Sequence, residues 1–442
     1  MSKATTANTI YSPRYRNYAL AILFLGYVVN FIDRSILSIL LEPIKQELLL
    51  SDTELGLLGG LAFAMFYATL GIPIASLADR WSRTKVLAIS MIIWSAMTAL
   101  CGAANNFLML LLARIGVGVG EAGASPPSHS LISDYFPVEK RATALSIYAL
   151  GIPFGSMIGN FVGGWGAAEL GWRMTFLLVG FPGIFVAGII LTTLREPPRG
   201  MSESAAVKAA AAKNDEPAPA LKEVFKFLWQ RKSFRHLGFA AGLHAFVGYG
   251  AGVWNAPFLI RSHEMPITEV GSWLAIISGI GAIGTFGGGY LGDKLSDWTD
   301  DRRWYLWIAG ISTLVMVPFQ FTAYLYDGIW TVIPALAVVS ILGGMYLGPS
   351  FAMTQALVTL RMRAVASALL LFMLNIIGMG LGPYFVGIAS DLLNPSFEIH
   401  SLRYALCLCV LANLWAAVHY FLGATTLRED LDSTEVLMTQ HS

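Results

Sequence analysis

Residues 18–41 read YALAILFLGYVVNFIDRSILSILL, and this stretch decides what kind of chain this is. It is long enough to cross a bilayer, which takes roughly 20 mostly apolar residues as a helix. Near its middle stand Asp33 and Arg34, with Asn30 one turn earlier. Ionisable side chains inside a membrane helix cost several kcal/mol and mark a protein interior or a watery cavity. The two charges therefore need partners elsewhere in the chain.

The rest of the composition agrees with a membrane setting. Of 442 residues, 55% are hydrophobic and only 13% charged, with a mean hydropathy of +0.61. A soluble domain of that size needs far more polar surface. A net charge of +1 gives no basis for nucleic-acid binding. Cys101, Cys407 and Cys409 lie in apolar segments and show neither metal-ligand spacing nor a disulfide framework. The polar, basic start of the chain, MSKATTANTIYSPRYRNY, lacks the apolar core and cleavage site of a signal peptide.

Twelve apolar segments follow, near 18–41, 54–78, 85–104, 107–133, 140–167, 172–194, 235–260, 268–292, 304–325, 329–356, 363–389 and 402–424. Strands are not needed, because a helix satisfies its own backbone in lipid. The expected organisation is an N-terminal six-helix bundle over 1–195, a linker over 196–234, a second six-helix bundle over 235–427 and a tail over 428–442. Within the linker, Leu221, Val224, Phe225 and Leu228 have helical spacing and are surrounded by Lys222, Lys226, Arg231 and Lys232. That pattern predicts an amphipathic helix at the inner surface. Residues 199–219 read equally well as a disordered linker. Of the 29 Lys and Arg, 23 fall on one side of this topology and four on the other; Arg34 and Arg114 remain inside the membrane. Basic residues mark the cytoplasmic side, so both termini are expected in the cytoplasm.

An internal repeat supports two related halves. After the second segment the chain reads Ala75-Ser-Leu-Ala-Asp79-Arg80-Trp-Ser82-Arg83-Thr84-Lys85, and after the eighth Gly289-Tyr-Leu-Gly-Asp293-Lys294-Leu-Ser296-Asp297. Such symmetry is characteristic of secondary transporters. Asp79, Arg80, Arg83, Asp293 and Lys294 are expected to gate the inner side by bridging helix ends; as simple interfacial charge they would only anchor the topology. In the fifth segment Gly151, Gly155, Gly159 and Gly163 form one smooth face for close helix approach, with Pro153 permitting a bend.

The fourth segment carries Arg114 and Glu121, seven residues apart and so on one face, with Ser125 continuing the stripe. Tyr67 and Tyr148 can join them. Asp33 and Arg34 point about 100° apart. One arrangement aims Asp33 at Arg114, and Arg34 at Glu121 or the substrate. Asp33 and Glu121 are then the groups that take and release protons, beside arginines that stay charged. The other reading is a permanent ion-pair network that only fixes packing. The second half has no Lys or Arg at membrane depth. It offers His244, Asn255, Gln355 and Asn375, of which Asn255, before Pro257 where a helix can break, is the best ligand contact. His244 and His129 read as packing residues. A charged pole in the first half and an apolar, aromatic one in the second suit a ligand with a charged head and an apolar tail. Arg34, Arg114, Asn30, Tyr67, Ser125, Tyr148, Asn255 and Asn375 form the expected contact set.

The loop Asp79-Arg80…Arg83…Lys85 and the six-plus-six pattern resemble the major facilitator superfamily, although Ala75 and Ser82 stand where its loop usually has glycines. The Gly/Pro-rich fifth segment is similar to that of the superfamily's exporters. The runs Tyr27-Val-Val-Asn30-Phe-Ile-Asp33-Arg34-Ser35 and Gly120-Glu121-Ala-Gly-Ala-Ser125-Pro126 resemble Spinster-like transporters. That resemblance implies an all-α integral membrane fold of twelve transmembrane helices in two six-helix bundles. It also implies proton coupling at Asp33 and Glu121 and a lysophospholipid or sphingosine-1-phosphate-like substrate moved by alternating access. The expected setting is a bacterial inner membrane, with the chain acting as a monomer among membrane lipids, without cofactor, metal or nucleic acid. No G-x-x-x-x-G-K-(S/T) loop is present, so ATP is not the direct energy source. A proton-linked carrier of small organic anions or drugs is the alternative. A membrane sensor that moves nothing is a more distant one, and an intramembrane enzyme lacks a nucleophile beside a base.

Overall fold

The computed structural model describes residues 11–202 and 221–440, and among these it is helical throughout, without strands. The first six crossings are α1 (Pro13–Leu48); α2 (Asp52–Gly56) running through a π-helical turn, Leu57–Leu61, into α3 (Ala62–Arg80); α4 (Arg83–Cys101); α5 (Phe107–Glu121) with α6 (Ser125–Tyr135); α7 (Val138–Ala149) with α8 (Gly151–Glu169); and α9 (Gly171–Thr193). After the short α10 (Leu221–Gln230) come α11 (Lys232–His263), α12 (Ile267–Thr299), α13 (Trp304–Leu325), α14 (Ile329–Gly344) with α15 (Leu347–Ala356), α16 (Arg363–Met373) with a π segment, Leu374–Leu381, and α17 (Gly382–Phe397), and α18 (Ser401–Gln440). The twelve crossings agree with the twelve apolar segments. Large side chains such as Phe185, Phe286, Trp330 and Trp415 lie exposed.

Starts and stops follow local chemistry. Asn106 caps α5 by accepting from Met109 N at 2.9 Å, and Ser51 forms a capping box with Glu54 at the head of α2. Pro257 could have broken its helix, but α11 runs through it to His263; membrane helices tolerate proline where neighbours re-satisfy the backbone. The break in the fifth crossing falls at Leu150, two residues before Ile152 and ahead of Pro153. The linker helix α10 forms with Val224 and Leu228 fully buried and Leu221 and Phe225 exposed. The remainder of the linker, 203–220, lies outside the described residues. Residues 428–440, read as a tail, are helical and prolong α18. Asp430 accepts from Ser233 N at 2.9 Å and its hydroxyl at 2.7 Å, and Thr434 is fully buried.

By packing, the chain divides into two units. Unit 1 comprises Met1–Ile36 and Phe66–Pro217; unit 2 comprises Leu37–Met65 and Ala218–Ser442. The hairpin formed by the end of α1 and the start of the second crossing thus belongs with the C-terminal helices. In unit 1, α8 lies along α1. A Cβ on Gly155 would stand 2.5 Å from the Val28 carbonyl, and one on Gly159 3.0 Å from that of Ile32. The glycine face therefore meets the backbone of α1, just where Asp33 and Arg34 are borne. In unit 2 a Cβ on Gly60 would come within 2.7 Å of the Gly380 carbonyl, so the two π-helical segments meet backbone to backbone.

Candidate functional site

The charges of α1 find their partners on α5, within unit 1. Arg34 Nε donates to Glu121 Oε2 at 2.5 Å, with the Glu121 side chain fully buried and that of Arg34 18% exposed. The guanidinium also lies 4.6 Å from the Tyr67 ring centroid and 5.1 Å from that of Phe31. An arginine over two rings and against one carboxylate is held by cation–π attraction as well as by charge. Asp33 is completely buried and interacts electrostatically with Arg114 and Glu121. Asn30 is buried beside Glu121. Arg34 is paired with Glu121, one of the two targets that the sequence leaves open for it.

The helix bearing Glu121 ends there. Ala122–Ala124 form turns, with Gly123 N and Ala124 N donating to Gly120 O and Glu121 O at 3.2 and 3.0 Å. Ser125 opens a new helix, with Pro126 and Pro127, which supply no N–H to extend α5, in its first turn. Glu121 thus sits where the helix dipole is negative, which makes its anionic form depend all the more on Arg34. Tyr148 stacks on Tyr27 at 4.2 Å between centroids, next to Ser125, Ser128 and the His129 ring.

In unit 2, Asn255, Asn375 and His244 are bound into the packing, whereas Gln355 is exposed and donates to Ser367 Oγ at 3.0 Å. Asn255 Oδ1 accepts from Tyr324 Oη at 3.0 Å, and Asn375 is buried in the π segment. His244 Nδ1 is 2.8 Å from Thr313 Oγ1 and its Nε2 3.0 Å from Gly343 O. These residues and the α1–α5 charges belong to different units.

The repeated loops differ in structure. Asp79 and Arg80 are exposed, and Asp79 lies 3.6 Å from Arg199. Arg83 is buried; it donates to Glu196 Oε1 at 2.7 Å, to Pro197 O at 2.7 Å, and to Asp134 and Ser130. Glu196 also accepts from Thr84 N at 2.9 Å at the head of α4. Burial would raise the Glu196 carboxyl, but the Thr84 N–H, Arg83 and Ser82 hold it below the usual carboxylate range. In the second half α12 runs six residues beyond Asp293 to Thr299, because Ser296 stays helical whereas Ser82 is extended and caps α4. Asp293 accepts from Tyr305 Oη at 2.6 Å, and Lys294 stands over Tyr290.

Sequence reasoning missed a further cluster, within unit 2. Arg261 binds Glu42 Oε2 at 2.6 Å and both oxygens of Asp52 at 2.8 and 2.9 Å. Lys45 and Ser390 also reach Asp52, at 2.5 and 2.6 Å, and Asp391 accepts from the Asp52 and Thr53 N–H groups at 3.0 and 2.7 Å. A cavity of about 320 Å³ opens beside it. Single charges scattered at the ends of four crossings gave no spacing signal. Glu196 and Asp134, the partners of Arg83, were invisible for the same reason.

A model of the Major Facilitator Superfamily matches residues 23–424. An MFS-type efflux pump of Mycolicibacterium smegmatis is 33% identical over 423 residues, covering 95% of each chain. Protein spinster homolog 3 of Danio rerio is 26% identical over 463 residues, covering 98% of this chain and 90% of its own. The crystal structure of a bacterial homolog to the human lysosomal transporter Spinster, in an inward-facing and unoccupied conformation, superposes with a TM-score of 0.86. It is 33% identical, covering 95% of this chain and 99% of that one.

Proposed function

The chain belongs to the Major Facilitator Superfamily and is a Spinster-like membrane transporter, not an enzyme, and from that premise we propose that it moves an amphipathic anionic or zwitterionic lipid, of the lysophospholipid or sphingosine-1-phosphate type, by proton-coupled alternating access. One observation carries the coupling: Arg34 is held on Glu121 at 2.5 Å, with Asp33 and Arg114 buried beside them. Protonation of Glu121 removes the charge that holds Arg34 and frees the guanidinium for an anionic head. Loss of the proton restores the pair and displaces that head. Asp33 against Arg114 works in the same sense. Asn30, Tyr67, Ser125 and Tyr148 complete the contact set in unit 1. Asp79, Arg80, Arg83, Asp293 and Lys294 gate the inner side, and the Arg261–Glu42–Asp52 clamp holds the 37–65 hairpin at the other end. Both termini face the cytoplasm of a bacterial inner membrane, as the Lys and Arg distribution supports.

Purified protein in liposomes tests the substrate class. A lysophospholipid of either charge type is expected to compete with labelled lysophosphatidylglycerol, and short-chain acids are not. Competition by the acids alone would favour a carrier of small organic anions or drugs. Binding without net flux would leave only a sensor.

A further inference from the structure

Trp94 and Thr98 stand one turn apart on α4, and both are completely buried. Their indole N–H and hydroxyl make no hydrogen bond among the described residues. Both lie against the side chain of Asp33, whose two oxygens likewise have no hydrogen-bond partner there. Buried polar groups nearly always find partners, and each one left without costs ~1–3 kcal/mol. Thr98 is unusual among the buried threonines. Thr175, Thr313 and Thr354 each turn the hydroxyl back to the carbonyl four residues earlier, at 2.8, 2.6 and 2.8 Å, and Thr98 does not. Its hydroxyl is kept available on the side where Asp33 stands.

The platform is closely packed. A Cβ on Gly120 would lie 2.5 Å from Trp94 N, so α5 touches the backbone of α4. On its other side Gly180 and Gly183 of α9 fit against Ser95 and Ala99. Two donors fixed one turn apart thus face one carboxylate on α1. We infer that Trp94 and Thr98 are positioning residues that close on the Asp33 carboxylate when it gives up its proton and release it when the proton returns. A carboxylate in an apolar interior needs donors, and hydrogen bonds to a charged acceptor are roughly twice as strong as neutral ones. A neutral carboxylic acid has much less need of them. The pair therefore favours the ionised form and sets the pH at which Asp33 exchanges its proton.

The other groups around Asp33 are Arg34 on α1, Arg114 and Glu121 on α5, and Cys101 on α4. Helix α8 meets this part of α1 through Gly155 and Gly159, and α9 meets Val29 through Gly183, so neither brings a charge to it. Arg114 supplies charge, whereas Trp94 and Thr98 supply directed N–H and O–H bonds. The inference rests on the reading of Asp33 as a proton carrier.

The test is an infrared pH titration of the full chain in liposomes, following the protonated-carboxyl band that Asp33→Asn removes. Thr98→Val keeps the shape of the side chain and removes the hydroxyl; Trp94→Phe removes the indole N–H. Each is expected to move the midpoint upward by about one pH unit, and Thr98→Ser to leave it in place. Unchanged midpoints in Thr98→Val and Trp94→Phe would overturn the inference and leave the transport reading standing. The inference fails equally if Thr98→Val does not fold and Trp94→Phe titrates as the parent does. A shifted band together with proton-driven transport that survives Asp33→Asn would overturn the transport reading alone. Absence of the band at every pH would overturn both.

Discussion

Arg34 and His244 are both polar side chains held at membrane depth, one in each unit, and their surroundings differ. Both ring nitrogens of His244 have neutral partners, Thr313 and the Gly343 carbonyl, and the Tyr346 ring covers it at 4.0 Å. Trp254 Nε1 donates to Pro383 O at 2.8 Å in the same unit. In unit 1, Arg34 has a charged partner whose second oxygen, Glu121 Oε1, has no hydrogen bond among the described residues, and both oxygens of Asp33 are in the same condition. Neutral groups that are fully bonded fix helices in one arrangement. Charges bonded at only some of their atoms retain a second arrangement, which a proton or an anionic head can select.

The largest effect is expected from Arg34→Ala. It leaves Glu121 buried without its partner, at a cost of ~3–5 kcal/mol, and removes the cation offered to the substrate. Lysolipid uptake into liposomes should fall at least about 100-fold, the equivalent of ~2.7 kcal/mol, while Arg34→Lys recovers part of it. Near-normal uptake in Arg34→Ala would break the comparison at its strongest point.

Arg83→Ala comes next, because Asp134 and Glu196 lose a buried cation. Unfolding in denaturant should show a loss of ~3 kcal/mol. The pH dependence of this network has a definite sign. Glu196 is held below its ordinary value, so its contribution to stability is complete above the unfolded value of about 4.3 and fades as pH falls through the lowered one. The stability difference between the parent and Glu196→Gln should therefore shrink on acidification, and a difference that grows would reverse the assignment.

Gly155→Val should cost ~1–3 kcal/mol by forcing α8 off the Val28 carbonyl. It should lower transport without moving its pH midpoint, which separates packing along α1 from the chemistry α1 carries. The smallest effect belongs to His244→Gln. Stability should change by less than ~1.5 kcal/mol and the pH profile of transport not at all. A displaced profile would mean that unit 2 also exchanges protons.

The twelve crossings were legible because apolar length and the placement of Lys and Arg report directly on a bilayer. Arg114 and Glu121 were legible as one face because seven residues are nearly two helical turns. The break after Glu121 matches Gly120, Gly123 and the two prolines that follow. The hidden parts are those where a side chain looks ordinary. Trp94 and Thr98 read as the core of an apolar helix, and only the folded chain sets them against Asp33. Glu42, Asp52 and Arg261 each read as a lone charge at a helix end, and pairing between residues some 200 positions apart has no local signature. The repeat around Asp79 and Asp293 was visible as sequence, yet a cap at Ser82 against an unbroken helix at Ser296 gives the two copies different structures.

The central claim, that Asp33 and Glu121 exchange the protons that drive transport, is tested most directly by lysolipid-linked proton flux in liposomes, measured as a function of pH for Asp33→Asn and Glu121→Gln separately. Each substitution is expected to abolish acceleration by an imposed pH gradient and to flatten the pH profile, while labelled lysolipid still binds. Proton-driven flux persisting in both variants, with the parent's pH dependence, would contradict the claim.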